Sequence, residues 1–79
     1  MATVRYFAAA ADAAGTASEN RDAATLGELL SELTATHGAE FERVLGRCSV
    51  LVDGRVSADP GTAIAQAATV DVLPPFAGG

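Results

Sequence analysis

The sequence predicts an α+β domain with one main helix packed across a small mixed sheet, and three observations carry that prediction. Period-two alternation at the start, the middle and the end of the chain gives strands. A leucine stripe at helical spacing gives one long helix between them. With 79 residues there is room for a single core and not for a second.

Val4, Tyr6 and Ala8 alternate with Thr3, Arg5 and Phe7, as in a first strand with one buried face. The small residues Ala9 to Ala14 favour helix but offer no apolar stripe, so the stretch reads as a loop with at most a helical turn, ending at Gly15-Thr16. Residues Ala17 to Asp22 form a polar, edge-like second strand. Thr25 and Glu28 make a capping box. Leu26, Leu29, Leu30 and Leu33 then fall on one helical face as far as His37, and Gly38 suits a left-handed stop. Phe41, Val44 and Leu45 repeat that spacing in a short second helix.

Cys48, Val50 and Val52 alternate with Ser49, Leu51 and Asp53, and Asp53-Gly54 signals a tight hairpin into Arg55-Val56. Pro60-Gly61 marks a turn. Val70 to Leu73 is the last strand, stopped by Pro74-Pro75, which cannot donate to a ladder. This order fits a β-grasp (ubiquitin-like) fold over residues 1–75, followed by a tail at 76–79. A ferredoxin-like fold needs a second substantial helix before the last strand, and Ala63 to Ala68 is too short for one.

Composition excludes several function classes. A formal charge of −5 is the wrong sign for a protein that neutralises phosphates, so no nucleic-acid partner is expected. All five basic residues are arginine; without lysine the chain cannot accept an isopeptide bond on a lysine side chain, and in any conjugation it is the donor. One cysteine and one histidine cannot supply the ligands of a zinc site, so no metal is expected, and no bound cofactor is expected either. No apolar run reaches membrane-spanning length, and Met1 to Arg5 lack the pattern of a secretory signal. The expected location is cytoplasmic. No nucleophile with a base, and no acid/base pair, is legible, so the chain is not expected to be an enzyme on its own.

The chemistry is expected in the tail, Phe76-Ala77-Gly78-Gly79, which extended reaches on the order of 13 Å. Two terminal residues without Cβ can thread a narrow channel, and a terminal glycine offers an unhindered carboxylate. Once activated as an acyl adenylate, it can exchange the nucleotide for sulfur. The plain alternative is a frayed glycine-rich end; at a glycine usage of about 7%, a chance Gly-Gly terminus arises in roughly one protein in two hundred, which disfavours it.

The segments Val4-Arg5-Tyr6-Phe7-Ala8 with Asp12 and Gly15, Thr25 to Leu30, Val50-Leu51-Val52-Asp53-Gly54 and Val70 to Gly79 resemble the small, sulfur-carrier subunit of molybdopterin synthase, a MoaD-like member of the MoaD/ThiS ubiquitin-like family. The Pro-Pro-x-x-Gly-Gly terminus is the most specific part. The resemblance implies adenylation of Gly79 by a ubiquitin-activating-type enzyme that uses ATP, and conversion to a thiocarboxylate. It further implies insertion of the tail into the large synthase subunit within a heterotetramer, and sulfuration of cyclic pyranopterin monophosphate in molybdenum cofactor biosynthesis. Two positions depart from the family pattern: Ala67-Ala68 replaces the usual Gly-Asp turn, which suggests a looser turn, and Ala11-Asp12 replaces an Arg-Glu pair. Carriers for thiazole, cysteine or secondary-metabolite synthesis, and a ubiquitin-like protein modifier, share the same tail chemistry. A β-grasp binding module without chemistry is the remaining alternative.

Phe7, Leu51 and Leu73 have outward parity and, with Val56, form an expected partner-binding patch that continues through Pro74 and Pro75 towards Phe76; the alternative is that the short second helix covers this face. Cys48 shares the parity of Val50 and Val52 and is expected in the core. His37 is expected to cap the helix end or lie exposed.

Overall fold

Strand β1 (Ala2–Tyr6) turns Ala2, Val4 and Tyr6 inward, and Thr3 and Arg5 outward. The computed structural model describes residues 1–75. After β1 come α1 (Ala9–Ala14), β2 (Ser18–Arg21), α2 (Leu26–His37), α3 (Ala39–Leu45), β3 (Ser49–Val52), β4 (Arg55–Val56) and β5 (Thr69–Leu73). The strands form one mixed sheet in the order β2-β1-β5-β3-β4. The central pair β1 and β5 is parallel and the other pairs are antiparallel. This is the expected β-grasp architecture: Leu26, Leu29 and Leu33 of α2 and Phe41 of α3 fill the inner face against Val4, Val50, Val70 and Val72.

Several local features differ from the sequence reading. Residues 9–14 are a helix and not a loop. Its Ala10 is wholly buried and α1 packs against α3, so small side chains permit a close approach that a larger apolar stripe would prevent. Gly15, at φ 77°, closes it in the left-handed region. Ala8 is not part of the strand; at φ 50° it is exposed and turns the chain into α1. Cys48 precedes β3 rather than opening it.

Thr25 caps α2 as predicted, its hydroxyl accepting from the Glu28 amide at 3.3 Å, but the Glu28 carboxylate reaches back to the Ala24 amide. Gly38 is shared as the last cap of α2 and the first of α3, with φ 93° and ψ −172°, which is not the left-handed helical stop. Asp53 and Gly54 both have positive φ, as the expected two-residue hairpin requires. Ala67-Ala68 do not loosen the last turn. The Ala68 amide donates to the Ala65 carbonyl at 3.1 Å, and Ala68 itself is buried.

His37 is neither a simple cap nor exposed. Its Nε2 lies 2.6 Å from Glu19 Oε2, which also accepts from the Tyr6 hydroxyl at 2.6 Å, while Arg21 Nε donates to Glu19 Oε1 at 2.8 Å. Tyr6 meets Phe41 edge to face at 5.6 Å, so the cluster ties β1, β2, α2 and α3 together. Burial and the bond to Glu19 push the Tyr6 hydroxyl pKa up. For Glu19, burial pushes upward, but hydrogen bonds from Tyr6, His37 and Arg21 outweigh it and hold the carboxyl below its ordinary value of 4.5.

A depressed folded-state pKa contributes stability that is present above the unfolded value and is lost as pH falls through the folded one. Glu19→Gln is therefore expected to lower Tm at pH 7, and its deficit relative to wild type should shrink as pH falls below 4.5. Thermal unfolding of both proteins across the acid range checks this; a deficit independent of pH would contradict it.

Candidate functional site

The helices all lie against the inner face: α3 packs on α1 and α2, and its Phe41 touches Tyr6. The short second helix therefore does not cover the outer face, which stays bare among the described residues. Strand register arranges that face in three rows. Asn20, Thr3 and Thr69 form a polar row. Ser18, Arg5, Asp71, Leu51 and Val56 form the middle row. The third row holds Leu73 opposite Ser49, and Phe7, whose amide donates to the Val72 carbonyl at 3.2 Å and so continues the β1–β5 ladder. The face thus becomes apolar towards the end of β5 from which Pro74 and Pro75 lead away.

The predicted patch is brought together on this face, with differences in exposure. Val56 is 74% and Phe7 39% exposed, whereas Leu51 and Leu73 are half-buried by their cross-strand neighbours. Pro74 is half-buried and Pro75 exposed. Both prolines wall a surface groove of about 450 Å³, whose other side is Ala9, Val44 and the charged Glu40, Arg43 and Arg47. The predicted tail residues Phe76, Ala77, Gly78 and Gly79 lie outside the described residues.

One member of the face escaped the sequence reading. Asp71, nearly buried on the central strand, accepts from Arg5 Nε at 2.6 Å and Nη2 at 2.8 Å. The Arg5 guanidinium carbon also stands 5.8 Å from the centre of the Phe7 ring. The available signal was the outward parity of Arg5 together with a parallel pairing of the first and last strands, which sets Asp71 beside it.

Cys48 packs against the core as expected, its thiol 3.2 Å from the Val44 carbonyl, and burial pushes its pKa up, away from the nucleophilic thiolate. No helix of the described residues is long and apolar enough to cross a membrane.

Comparison with known proteins agrees with this architecture. The ThiS family model matches residues 4–79. Among solved structures, SAMP1 from Haloferax volcanii is 31% identical, with a TM-score of 0.84 over 99% of this chain and 98% of that one. A chain of the Helicobacter pylori complex between subunits 1 and 2 of molybdopterin-converting factor is 22% identical, with a TM-score of 0.77 over 99% and 97%. CysO from Mycobacterium tuberculosis is 24% identical, with a TM-score of 0.78 over 94% and 98%. The last two likenesses show the shared fold alone, and a search of curated proteins finds no match. With a family model spanning the chain from Val4 onward and a relative matched over nearly the whole of both chains at 31% identity, this protein belongs to the ThiS family of small ubiquitin-like sulfur carriers, the family that includes the MoaD type.

Proposed function

We propose that this chain is the sulfur-carrying subunit of a molybdopterin synthase. In this reading the Gly79 carboxylate attacks the α-phosphorus of ATP on a ubiquitin-activating-type enzyme, releasing pyrophosphate and leaving an acyl adenylate. Sulfur at the sulfide level then adds to the acyl carbon and expels AMP, which leaves a thiocarboxylate. The large synthase subunit takes up the tail and directs that sulfur to cyclic pyranopterin monophosphate; the catalytic groups belong to that subunit and the carrier brings the atom.

The observation that carries the proposal is the bare sheet face turning apolar towards Leu73, Pro74 and Pro75, where the tail begins. A partner that grips Phe7, Leu51, Val56 and Leu73 there fixes the direction in which residues 76–79 leave the domain. The Pro-Pro pair and the Phe7-Ala8 sequence favour this pathway over carriers for thiazole or cysteine synthesis. The Helicobacter pylori complex of two molybdopterin-converting factor subunits supports a large-subunit partner.

A second reading, a protein modifier, is favoured by the likeness to Haloferax volcanii SAMP1, described as a small archaeal modifier protein. Incubation with the cognate activating enzyme, ATP and a sulfur donor is expected to exchange one oxygen for sulfur at Gly79, seen by intact mass and fragmentation. The product should convert cyclic pyranopterin monophosphate when the large subunit is added. Sulfur found on Cys48 would replace the carboxylate mechanism with a persulfide, and isopeptide conjugates without pterin product would favour the modifier.

A further inference from the structure

An ion pair stands in the middle row of the sheet face, next to its apolar end. The Asp71 side chain is only 12% exposed, and Arg5 binds both of its oxygens, so the carboxylate is satisfied within the domain. Arg5 is different. Its side chain is 51% exposed, and two of the five N–H groups of its guanidinium are used on Asp71, which leaves three without a partner among the described residues. The grip of Asp71 and the nearby Phe7 ring restrain the plane of the group, so these three are held in a fixed fan rather than left to rotate.

A partner that covers Phe7, Leu51 and Leu73 also covers Arg5, because Arg5 shares their face and lies beside Asp71, the cross-strand neighbour of Leu51. Water then leaves the three free N–H groups, and a desolvated charged donor without an acceptor opposes binding. The acceptor must come from the partner. Since Arg5 and Asp71 together carry no net charge, a partner carboxylate would bring one uncompensated negative charge into the interface. A neutral oxygen would not.

We infer that the Arg5–Asp71 pair is the polar key of the docking face, and that the large subunit meets the free edge of the Arg5 guanidinium with neutral oxygen acceptors, main-chain carbonyls or side-chain amides. The inference rests on the reading of this face as the large-subunit interface. It makes the pair a determinant of specificity: a large subunit that is merely apolar at that point is rejected, because it strands the donors.

The experiment is titration calorimetry of the chain with the large synthase subunit encoded in the same genome, using wild type, Phe7→Asp, the double variant R5M/D71L, and Arg5→Lys. R5M/D71L replaces the pair by apolar groups of similar size; it is expected to keep its thermal stability and to bind at least tenfold more weakly. Affinity equal to or tighter than wild type, the usual outcome when an idle ion pair is replaced by hydrophobes, would overturn the inference. Arg5→Lys keeps the charge but loses the planar fork, and the same weakening is expected even should the double variant fold poorly; wild-type affinity would count against the key.

Neutral acceptors also predict that wild type and R5M/D71L show the same change in Kd between low and physiological salt. A salt dependence that is steep in wild type and lost in R5M/D71L would place a carboxylate opposite Arg5 and overturn the acceptor assignment. Phe7→Asp separates the two levels: if it binds like wild type, the face is not the interface and the underlying reading fails, whereas its loss of binding beside an unaffected R5M/D71L defeats only the key.

Discussion

Deleting Gly79, or adding one residue after it, is expected to abolish thiocarboxylate formation and sulfur transfer while leaving the thermal midpoint unchanged. In the proposed mechanism the tail places its last carbonyl carbon in a nucleotide site on one enzyme and its sulfur beside a substrate on another. A misplacement of about 1 Å can cost on the order of a hundredfold in rate, and one residue is about 3.5 Å of chain. Among the described residues the buried positions end within β5, with Pro74 half-buried and Pro75 exposed beyond it, which is the basis for expecting an unchanged midpoint. Unfolding and product formation followed on the same truncated protein check both halves of the expectation. Retained product formation would take the tail out of the mechanism and leave a passive binding module.

Phe41→Ala is expected to be the most damaging single change within the domain. Phe41 is the largest of the fully buried side chains and lies against Tyr6 and His37. Removing a buried phenylalanine costs about 3–5 kcal/mol through lost transfer energy and the cavity left behind. A domain of this length is stable by roughly 4–12 kcal/mol in all, so the variant should be largely unfolded or melt at least about 12 °C lower. Val56→Ala, at an exposed position of β4, is the control and should stay within about 0.5 kcal/mol of wild type. Circular dichroism melts of the two variants test the contrast; a small loss at Phe41 would mean that α3 is not anchored as described.

Where one residue type at one spacing decides the structure, the sequence was readable. The leucines of α2, the Thr25 cap and the Asp53-Gly54 turn all declare themselves locally, and each lies where expected. Helix α1 was not readable, because an alanine run has no stripe, and its burial comes from contact with α3, a helix far along the chain. His37 was misplaced for a related reason. Its partner Glu19 sits on a polar edge strand that the hydrophobic pattern barely marks, and only the folded chain brings them within 2.6 Å. At the candidate site, parity placed Phe7, Leu51 and Leu73 on one face, and the hairpin turn brought Val56 beside them. The Arg5–Asp71 pair needed the parallel register of strands 66 positions apart, which no local pattern encodes.

The central position of β5 also governs what happens while the chain is being made. The strand nearest the tail is the one that joins the two halves of the sheet, pairing with β1 on one side and β3 on the other. A nascent chain that has not yet delivered Thr69 to Leu73 holds only two separate ribbons, β1 with β2 and β3 with β4, and an isolated two-stranded ribbon is marginally stable at best. The outer face lacks its middle strand until that moment, so Arg5 has no Asp71 and Leu51 no neighbour on that side. Any enzyme that recognises the assembled face is thereby protected from chains that end early: a polypeptide broken off before residue 69 presents no face to bind, and the act of folding certifies that synthesis has reached β5.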